Sequence, residues 1–410
     1  MDTAQPYMPH QLYARGASDI SATAAGSVPR VFIAPQRYIQ GDGVLDDIGR
    51  YMTLVNADRV AILLSARCRS NEGERLIRGL ATAGVEVVTA TFGGECSQVA
   101  IDEHVRALAG SGVGAVVAIG GGKCVDAGKA IAHRLGVPVV IVPTLASNDA
   151  PCSALSVIYT PEGVTSGVEF YPHSPAMVVV DTGIVAAAPE RFLVSGMGDA
   201  MATWYEARAT MANPHGLSSI GARPTIASSA IGESCATTLY AHGVAAAAAV
   251  AADSVTDSLE LVVEANTLLS GLGFESGGLA AAHGVAQSCT AVPIVHDNYL
   301  HGEMVAFGVV TQLVMEASVM DGLTDEARRV IDFFIEVGLP VHLGHLSLDP
   351  SDADAIDVII AGTLEFPMIG NMPIPVDAAL VRDSLLTAHE LGMAAVGARG
   401  DEAYSRLHAG

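Results

Sequence analysis

Short apolar runs alternate with helix-length segments from about residue 30 to residue 190. The runs are Val60–Leu64, Val85–Thr91, Ala115–Ile119, Val137–Val142 and Ala176–Val180. They are dense in valine and isoleucine and do not alternate with polar residues, which predicts strands buried on both faces. Between them, Glu72–Ala83, Ser97–Ser111 and Cys124–Leu135 carry helical spacing. Strand–helix alternation predicts an α/β domain on a doubly wound, Rossmann-like parallel sheet. In such sheets the ligand crevice lies at the carboxyl ends of the strands. Beyond about residue 190 the strand signal stops. Ser195–Ala212, Ser254–Leu269, His301–Met320 and Asp325–Val337 read as helices. Asn213–Pro214, Gly271–Gly273, Gly277–Gly278, Pro293 and Gly338–Pro340 punctuate them. The expected division is a loose extension over 1–28, an α/β domain over 29–190 and an all-helical domain over 191–410, with a cleft between the last two.

Composition narrows the function classes. Half the residues are hydrophobic and 16% are charged, which excludes a disordered chain. The net charge of −23 repels phosphate backbones, so nucleic acid is not an expected partner. No apolar run approaches the roughly 20 residues of a membrane span, and Val244–Ala252, mostly alanine, reads as a packed helix. The first four of six cysteines (68, 96, 124 and 152) are spaced by 28 residues, but their flanks share nothing and no CxxC pair occurs. That is not a disulfide framework. The N-terminus has no basic segment followed by an apolar one, so no secretory signal is expected. Reduced thiols and the missing signal point to the cytoplasm.

Two loops carry candidate ligand chemistry. The strand Ala115–Ile119 runs into Gly120-Gly121-Gly122-Lys123 and then a helix containing Asp126 and Lys129. Glycines there let the backbone approach a ligand, and the helix N-terminus offers unpaired N–H groups to a phosphate. The spacing fits neither GxGxxG nor a P-loop, which disfavours ATP chemistry. The strand Val137–Val142 ends in a loop dense in hydroxyl and carboxyl groups, including Thr144, Ser147 and Asp149. Those side chains suit hydrogen bonds to a cofactor or substrate, or to their own turn.

The helical half holds a third candidate. Gly196-Met197-Gly198-Asp199 reads as the opening of a helix, His283 as part of a helix of small residues, and His301-Gly302-Glu303 as the opening of another. One carboxylate and two imidazoles make an open three-ligand set for a divalent cation. Their separations of 84 and 18 residues do not by themselves bring them together.

Taken together these segments resemble the glycerol dehydrogenases of the iron-containing alcohol dehydrogenase superfamily. The matching strings are GGGKCVDAGKA (120–130), VPTLASNDAPCSALSVIY (142–159), GMGDAMATWYEAR (196–208), LLSGLGFESGGLAAAH (268–283), LHGEMVAFG (300–308) and NMPIPV (371–376). The resemblance covers roughly residues 30–390. It implies the two-domain dehydroquinate synthase-like architecture, with a dinucleotide-binding half and a metal-binding half. It implies a metal-dependent polyol dehydrogenase that reversibly oxidises a secondary hydroxyl of glycerol or a related vicinal diol to the hydroxyketone. Zn²⁺ is the implied metal, with Fe²⁺ as an alternative, and NAD the implied cofactor. By matching position, Asp199, His283 and His301 become the metal ligands. Gly120, Gly121, Gly122, Lys123, Asp126, Thr144, Ser147, Ser153, Leu155 and Tyr159 fall around the cofactor. Asp149 and His283 take catalytic places, Asp149 also meets the substrate hydroxyls, and Phe274 falls on the pocket wall. A homo-oligomer is implied as well.

Two positions depart from that pattern. Ser65 stands where the family usually has an Asp that accepts bonds from the adenosine ribose and repels a 2′-phosphate. Arg67 and Arg69 follow closely, so use of NADP becomes an expectation. Ala286 stands where a second His often follows the one at 283, on the same helical face. The rival reading from the same superfold is an NAD- and metal-dependent lyase of the dehydroquinate synthase type. It needs a basic pocket for phosphate- or carboxylate-bearing substrates, and Lys and Arg do not cluster in the helical half. A substrate bearing a glycerol phosphate is disfavoured on the same ground, and the complete ligand trio argues against a non-catalytic paralogue.

Overall fold

The computed structural model of the chain describes residues 28–319 and 323–409. The expected loose extension lies outside the described residues except for residue 28. The strands are β1 (Tyr38–Gly41), β2 (Arg59–Ser65), β3 (Glu86–Phe92), β4 (Ala115–Gly120), β5 (Val139–Pro143), β6 (Leu155–Tyr159), β7 (Thr165–Phe170) and β8 (Met177–Asp181). Six of them form one parallel sheet in the order β1-β8-β5-β4-β2-β3. Helices α1 (Ile48–Met52), α2 (Glu72–Thr82), α3 (Gln98–Leu108) and α4 (Gly122–Leu135) complete this half.

The continuous apolar strands β2, β4, β5 and β8 are explained by the two cores they separate, whereas β3, expected to be buried on both faces, lies at the sheet edge and is mostly not buried. Ile62, Leu64, Val117, Ile119, Val140 and Val142 pack on one face with Leu76 and Leu80 of α2. Leu63, Val116, Ala118, Ile141 and Val178 pack on the other with Ile131 of α4, in a core that continues into the helical half. From β2 the chain steps outward to β3, then returns to add β4, β5 and β8 on the opposite side of β2. The reversal lies between β2 and β4, so the carboxyl ends of those strands, Ser65 and Gly120, flank the crevice. The pattern misses two features. β1 is only four residues long and pairs with β8. The antiparallel hairpin β6–β7 has a half-exposed second strand and no strong apolar period.

The helical half comprises α5 (Thr182–Ala186), α6 (Glu190–Ala212), α7 (Ile226–Ala251), α8 (Asp257–Glu264), α9 (Ser270–Gly277), α10 (Ala281–Cys289), α11 (Pro293–Asn298), α12 (His301–Ala317), α13 (Leu323–Val337), α14 (Ala353–Glu365), α15 (Ala378–Arg399) and α16 (Glu402–His408). A π-helical turn over Ala265–Leu269 joins α8 to α9. The alanine run Val244–Ala252 proves to be the end of α7 and its C-cap, in a much longer continuous helix whose earlier part carries the polar Ser228, Glu233 and His242. By length and a mean hydropathy of 1.2, α7 could cross a bilayer. It packs instead against α6, α8 and α9 as a helix of the domain.

Two expectations need correction. Gly196–Asp199 does not open a helix. α6 starts at Glu190, and its glycines sit in the interior because other backbone presses on them. A Cβ on Gly196 would lie 2.0 Å from the carbonyl oxygen of Ala146, and one on Gly198 2.2 Å from that of Gly302. Nor does His283 lie inside a continuous helix. α9 ends at Gly277, Gly278 turns the chain with φ of 103°, and His283 falls in the first turn of α10.

Glu275 of α9 joins the two halves, accepting the Ala154 N–H at 2.7 Å. Burial pushes its carboxyl up to about 8 from an ordinary 4.5, against the pull of the Ala154 N–H and Lys129. An acid that keeps its proton longer when folded stabilises the fold fully below its unfolded pKa and loses that contribution as pH rises through its folded one. The window is therefore from about 4.5 to about 8. Melting temperatures of wild type and Glu275→Gln across pH 5 to 8 check this: the wild type should decline with pH more steeply than the variant, and equal slopes would contradict it.

Candidate metal centre and dinucleotide cleft

Asp199, His283 and His301 converge although they come from three helices. Their ligand atoms all lie within 4.8 Å of one another. Asp199 Oδ1 is 3.4 Å from His283 Nε2 and 3.3 Å from His301 Nε2. The glycines beside them make this possible. Gly198 admits the Gly302 carbonyl, and a Cβ on Gly302 would lie 1.8 Å from the Ser195 carbonyl oxygen. α6 and the start of α12 thus touch backbone to backbone, which sets Asp199 against His301.

The electrostatics are unusual for a plain helix interface. The Asp199 carboxylate is buried, and neither of its oxygens accepts a hydrogen bond. Burial alone pushes its pKa up, but the neighbouring His301 and His283 imidazoles hold it well below the usual carboxylate range. His283 is likewise opposed by burial, yet the Glu206 and Asp199 carboxylates raise it well above the ordinary imidazole value. The buried anion, two imidazole nitrogens and His301 half exposed toward solvent fit a divalent cation with an open coordination position. No competing hydrogen bond has to be broken at Asp199 to seat one.

The His283 ring and the turn that carries His301 are each held from behind. Glu206 Oε2 lies 2.6 Å from His283 Nδ1. The start of α12 is fixed by Glu303, which accepts the Leu300 N–H at 2.7 Å, Arg191 at 2.6 and 2.8 Å, and His408 Nε2 at 3.0 Å. The last helix of the chain therefore steadies the turn that presents His301. Asp149 is half-buried; its Oδ2 accepts the Ser270 hydroxyl at 2.9 Å, and Ser270 in turn meets Thr203 at 2.9 Å. Burial, and then Asp199, push the Asp149 carboxyl up, against His283. Phe274, expected on a pocket wall, is buried one turn after Ser270, its carbonyl accepting from Ser219. Ala286, at the position where the resembled family often carries a second His, is fully buried in α10.

The residues expected around a cofactor divide into two groups. Ser65, Gly120, Gly121, Gly122, Lys123, Thr144 and Ser147 gather at the reversal between β2 and β4. A Cβ on Gly120 would lie 3.0 Å from that of Ser65, and one on Gly122 3.0 Å from Asn148 Nδ2. The Thr144 N–H donates to the Gly120 carbonyl at 3.1 Å, tying the two loops together. Lys123 reaches Glu95 at 2.7 Å and sits 4.6 Å from the ring centre of Tyr159, with Leu155 on the same strand. A glycine cradle opening a helix, with its first N–H groups directed outward, fits a pyrophosphate. Asp126 and Ser153 are the second group. Both are buried beneath the loop rather than lining its surface: Lys129 pairs with Asp126 at 2.9 Å and donates to the Ala150 carbonyl at 2.9 Å and Ser153 Oγ at 3.2 Å. They shape the Asp149 loop from below because a buried ammonium must find several acceptors. Arg67 and Arg69 are exposed in the turn after β2.

Sequence reasoning left Glu206, Ser270, Glu95, Lys129 and the Arg191–Glu303–His408 cluster without roles. One signal was available: Asp199 and Glu206 are seven residues apart, two turns on one face of a helix.

Residues 35–182 match the family model described as iron-containing alcohol dehydrogenase. A glycerol dehydrogenase from Escherichia coli is 43% identical over 88% of this chain and 97% of its own. A glycolaldehyde reductase from Halobacterium salinarum is 42% identical over 88% of this chain and 98% of its own. The crystal structure of glycerol dehydrogenase from Schizosaccharomyces pombe superposes with a TM-score of 0.85 at 33% identity, over 91% of this chain and 94% of that one. Sequence and fold agree: the chain belongs to the iron-containing alcohol dehydrogenase family.

Proposed function

We propose that the protein is a metal-dependent polyol dehydrogenase that reversibly oxidises the secondary hydroxyl of glycerol or a related vicinal diol with NAD. The observation that carries this is the buried Asp199 carboxylate without a hydrogen bond, facing two imidazole nitrogens. When bound, the cation supplies Lewis acidity for the reacting hydroxyl and the dinucleotide supplies a hydride acceptor. Asp199, His283 and His301 hold the cation, with Zn²⁺ preferred by the mixed imidazole and carboxylate set and Fe²⁺ the alternative.

The chain's own groups do the rest. Gly121, Gly122 and Lys123 receive the pyrophosphate; Thr144, Ser147, Leu155 and Tyr159 flank the dinucleotide, and Phe274 closes the pocket. Asp149, oriented by Ser270, accepts a hydrogen bond from the hydroxyl next to the reacting one. Glycerol and glycolaldehyde, the compounds named for two of the relatives, both carry oxygens on neighbouring carbons, the pattern such a pair of sites reads. The lyase alternative is not favoured: the similar proteins are dehydrogenases and reductases. The six buried free thiols suit a reducing compartment, and we read the protein as a cytoplasmic homo-oligomer.

Three measurements test this reading. Dialysis against a chelator should abolish oxidation of glycerol, zinc should restore it, and His283→Ala should stay inactive with zinc while keeping the wild-type far-UV circular dichroism. Full activity in the metal-free protein would overturn the assignment. Asp149→Asn should lower kcat/KM for vicinal diols by roughly 100-fold, the cost of a misplaced reactant, yet barely affect a simple secondary alcohol such as 2-propanol. Equal losses on both would show that Asp149 does not orient the neighbouring hydroxyl. Finally, Ser65 sits at the crevice without a carboxylate to repel a 2′-phosphate. Wild type should accept NADP alongside NAD, and Ser65→Asp should suppress kcat/KM for NADP selectively; strong NAD preference in the wild type would count against this.

A further inference from the structure

We propose that Glu206 is a positioning residue for the metal centre, one of its oxygens capping the helix that carries His283 and the other selecting the His283 tautomer that can bind a cation through Nε2. The inference rests on the metal-dependent reading above.

α10 has no cap of its own. Ala280 occupies the position before its first turn and offers no acceptor. Glu206, fully buried on α6, supplies one from a distance. Its Oε1 accepts the backbone N–H of Ala280 at 2.8 Å and that of His283 at 2.9 Å. A carboxylate at a helix N-terminus is favoured by the dipole and by the unpaired N–H groups of the first turn. Gln312 Oε1 takes another, that of Ala282, at 3.0 Å. The backbone around His283 is therefore fixed by side chains of α6 and α12, the two helices that also present Asp199 and His301.

The other oxygen, Oε2, lies 2.6 Å from His283 Nδ1. An ionised carboxylate only accepts, so the imidazole proton must sit on Nδ1. In the neutral ring that a cation requires, the lone pair is then on Nε2, the nitrogen 3.4 Å from Asp199 Oδ1. His301 is half exposed, so water can satisfy its ring. His283 is enclosed and has its tautomer set by Glu206.

The isosteric amide separates the two roles. In Glu206→Gln the amide oxygen can keep the two backbone N–H groups, but the NH₂ then faces Nδ1 and donates to it. The imidazole proton moves to Nε2 and blocks the ligand position. Turning the amide over restores the tautomer but sets NH₂ against two N–H donors. One orientation keeps the cap and loses the ligand lone pair, the other keeps the lone pair and loses the cap, so neither holds His283 for a cation as the carboxylate does. Zinc affinity by chelator competition should fall by about 10- to 100-fold in Glu206→Gln, the usual range for such partners. The metal-free variant should keep the far-UV circular dichroism of metal-free wild type, while losing some melting temperature with the buried pair.

Equal zinc affinities for variant and wild type would overturn the role of Glu206, whereas a wild type that takes up no zinc would overturn the metal-dependent reading itself. Should the variant not fold, the cobalt(II)-loaded wild type carries the test. The Nδ1–H of His283 should give a paramagnetically shifted proton resonance that persists in D₂O, unlike that of His301. Two such resonances exchanging equally fast would overturn the proposal.

Discussion

A carboxylate shut away from water with neither oxygen hydrogen-bonded is the constraint around which this molecule is arranged. Asp199 sits in the middle of α6, among apolar neighbours, and its charge is met only by two imidazole nitrogens more than 3 Å away. An ion buried without a full set of partners costs roughly several kcal/mol. A cation shared by all three side chains removes that cost, so metal binding and stability of this region are coupled. The rest of the helical half reads as the scaffold that makes the arrangement tolerable without the cation and tight with it.

The scaffold works through close backbone approach. Gly196 lets the Asp149 loop lie against α6, and Gly198 with Gly302 lets the start of α12 do so. One helix thus touches the cleft loop, the Asp199 site and the His301 turn within three residues. Buried polar groups then fix what the glycines bring near: Glu206 behind His283, Glu303 behind His301, and Lys129 beneath the Asp149 loop. The sheet contributes from the other side. Its order reverses between β2 and β4, so the glycine cradle opens beside the loop that carries Asp149. The loop that carries Asp149 therefore runs from the glycine cradle to the face of α6 beside Asp199.

Much of this was legible in the sequence where a local rule applies. Unbroken Val- and Ile-rich runs announced β2, β4, β5 and β8, because burial on both faces removes the need for alternation. A glycine run between a strand and a helix marked the cradle. The convergence of Asp199, His283 and His301 was not legible from spacing, since it depends on which helices pack; only the joint resemblance of several strings supplied it. The glycines of α6 misled, reading as a helix start when they record tertiary contact. Glu206 went unassigned although it lies two turns from Asp199, because a buried carboxylate on an apolar helix means nothing until its partner in α10 is known. β1 and the β6–β7 hairpin escaped because short or half-exposed strands carry little periodic signal.

The most direct measurement is a crystal structure of the zinc-loaded protein with anomalous data collected on both sides of the zinc absorption edge. The account predicts one strong peak per chain, bonded to Asp199 Oδ, His283 Nε2 and His301 Nε2 at about 2.0–2.2 Å. A map with no peak there, and ordered water hydrogen-bonded to Asp199 instead, would contradict it.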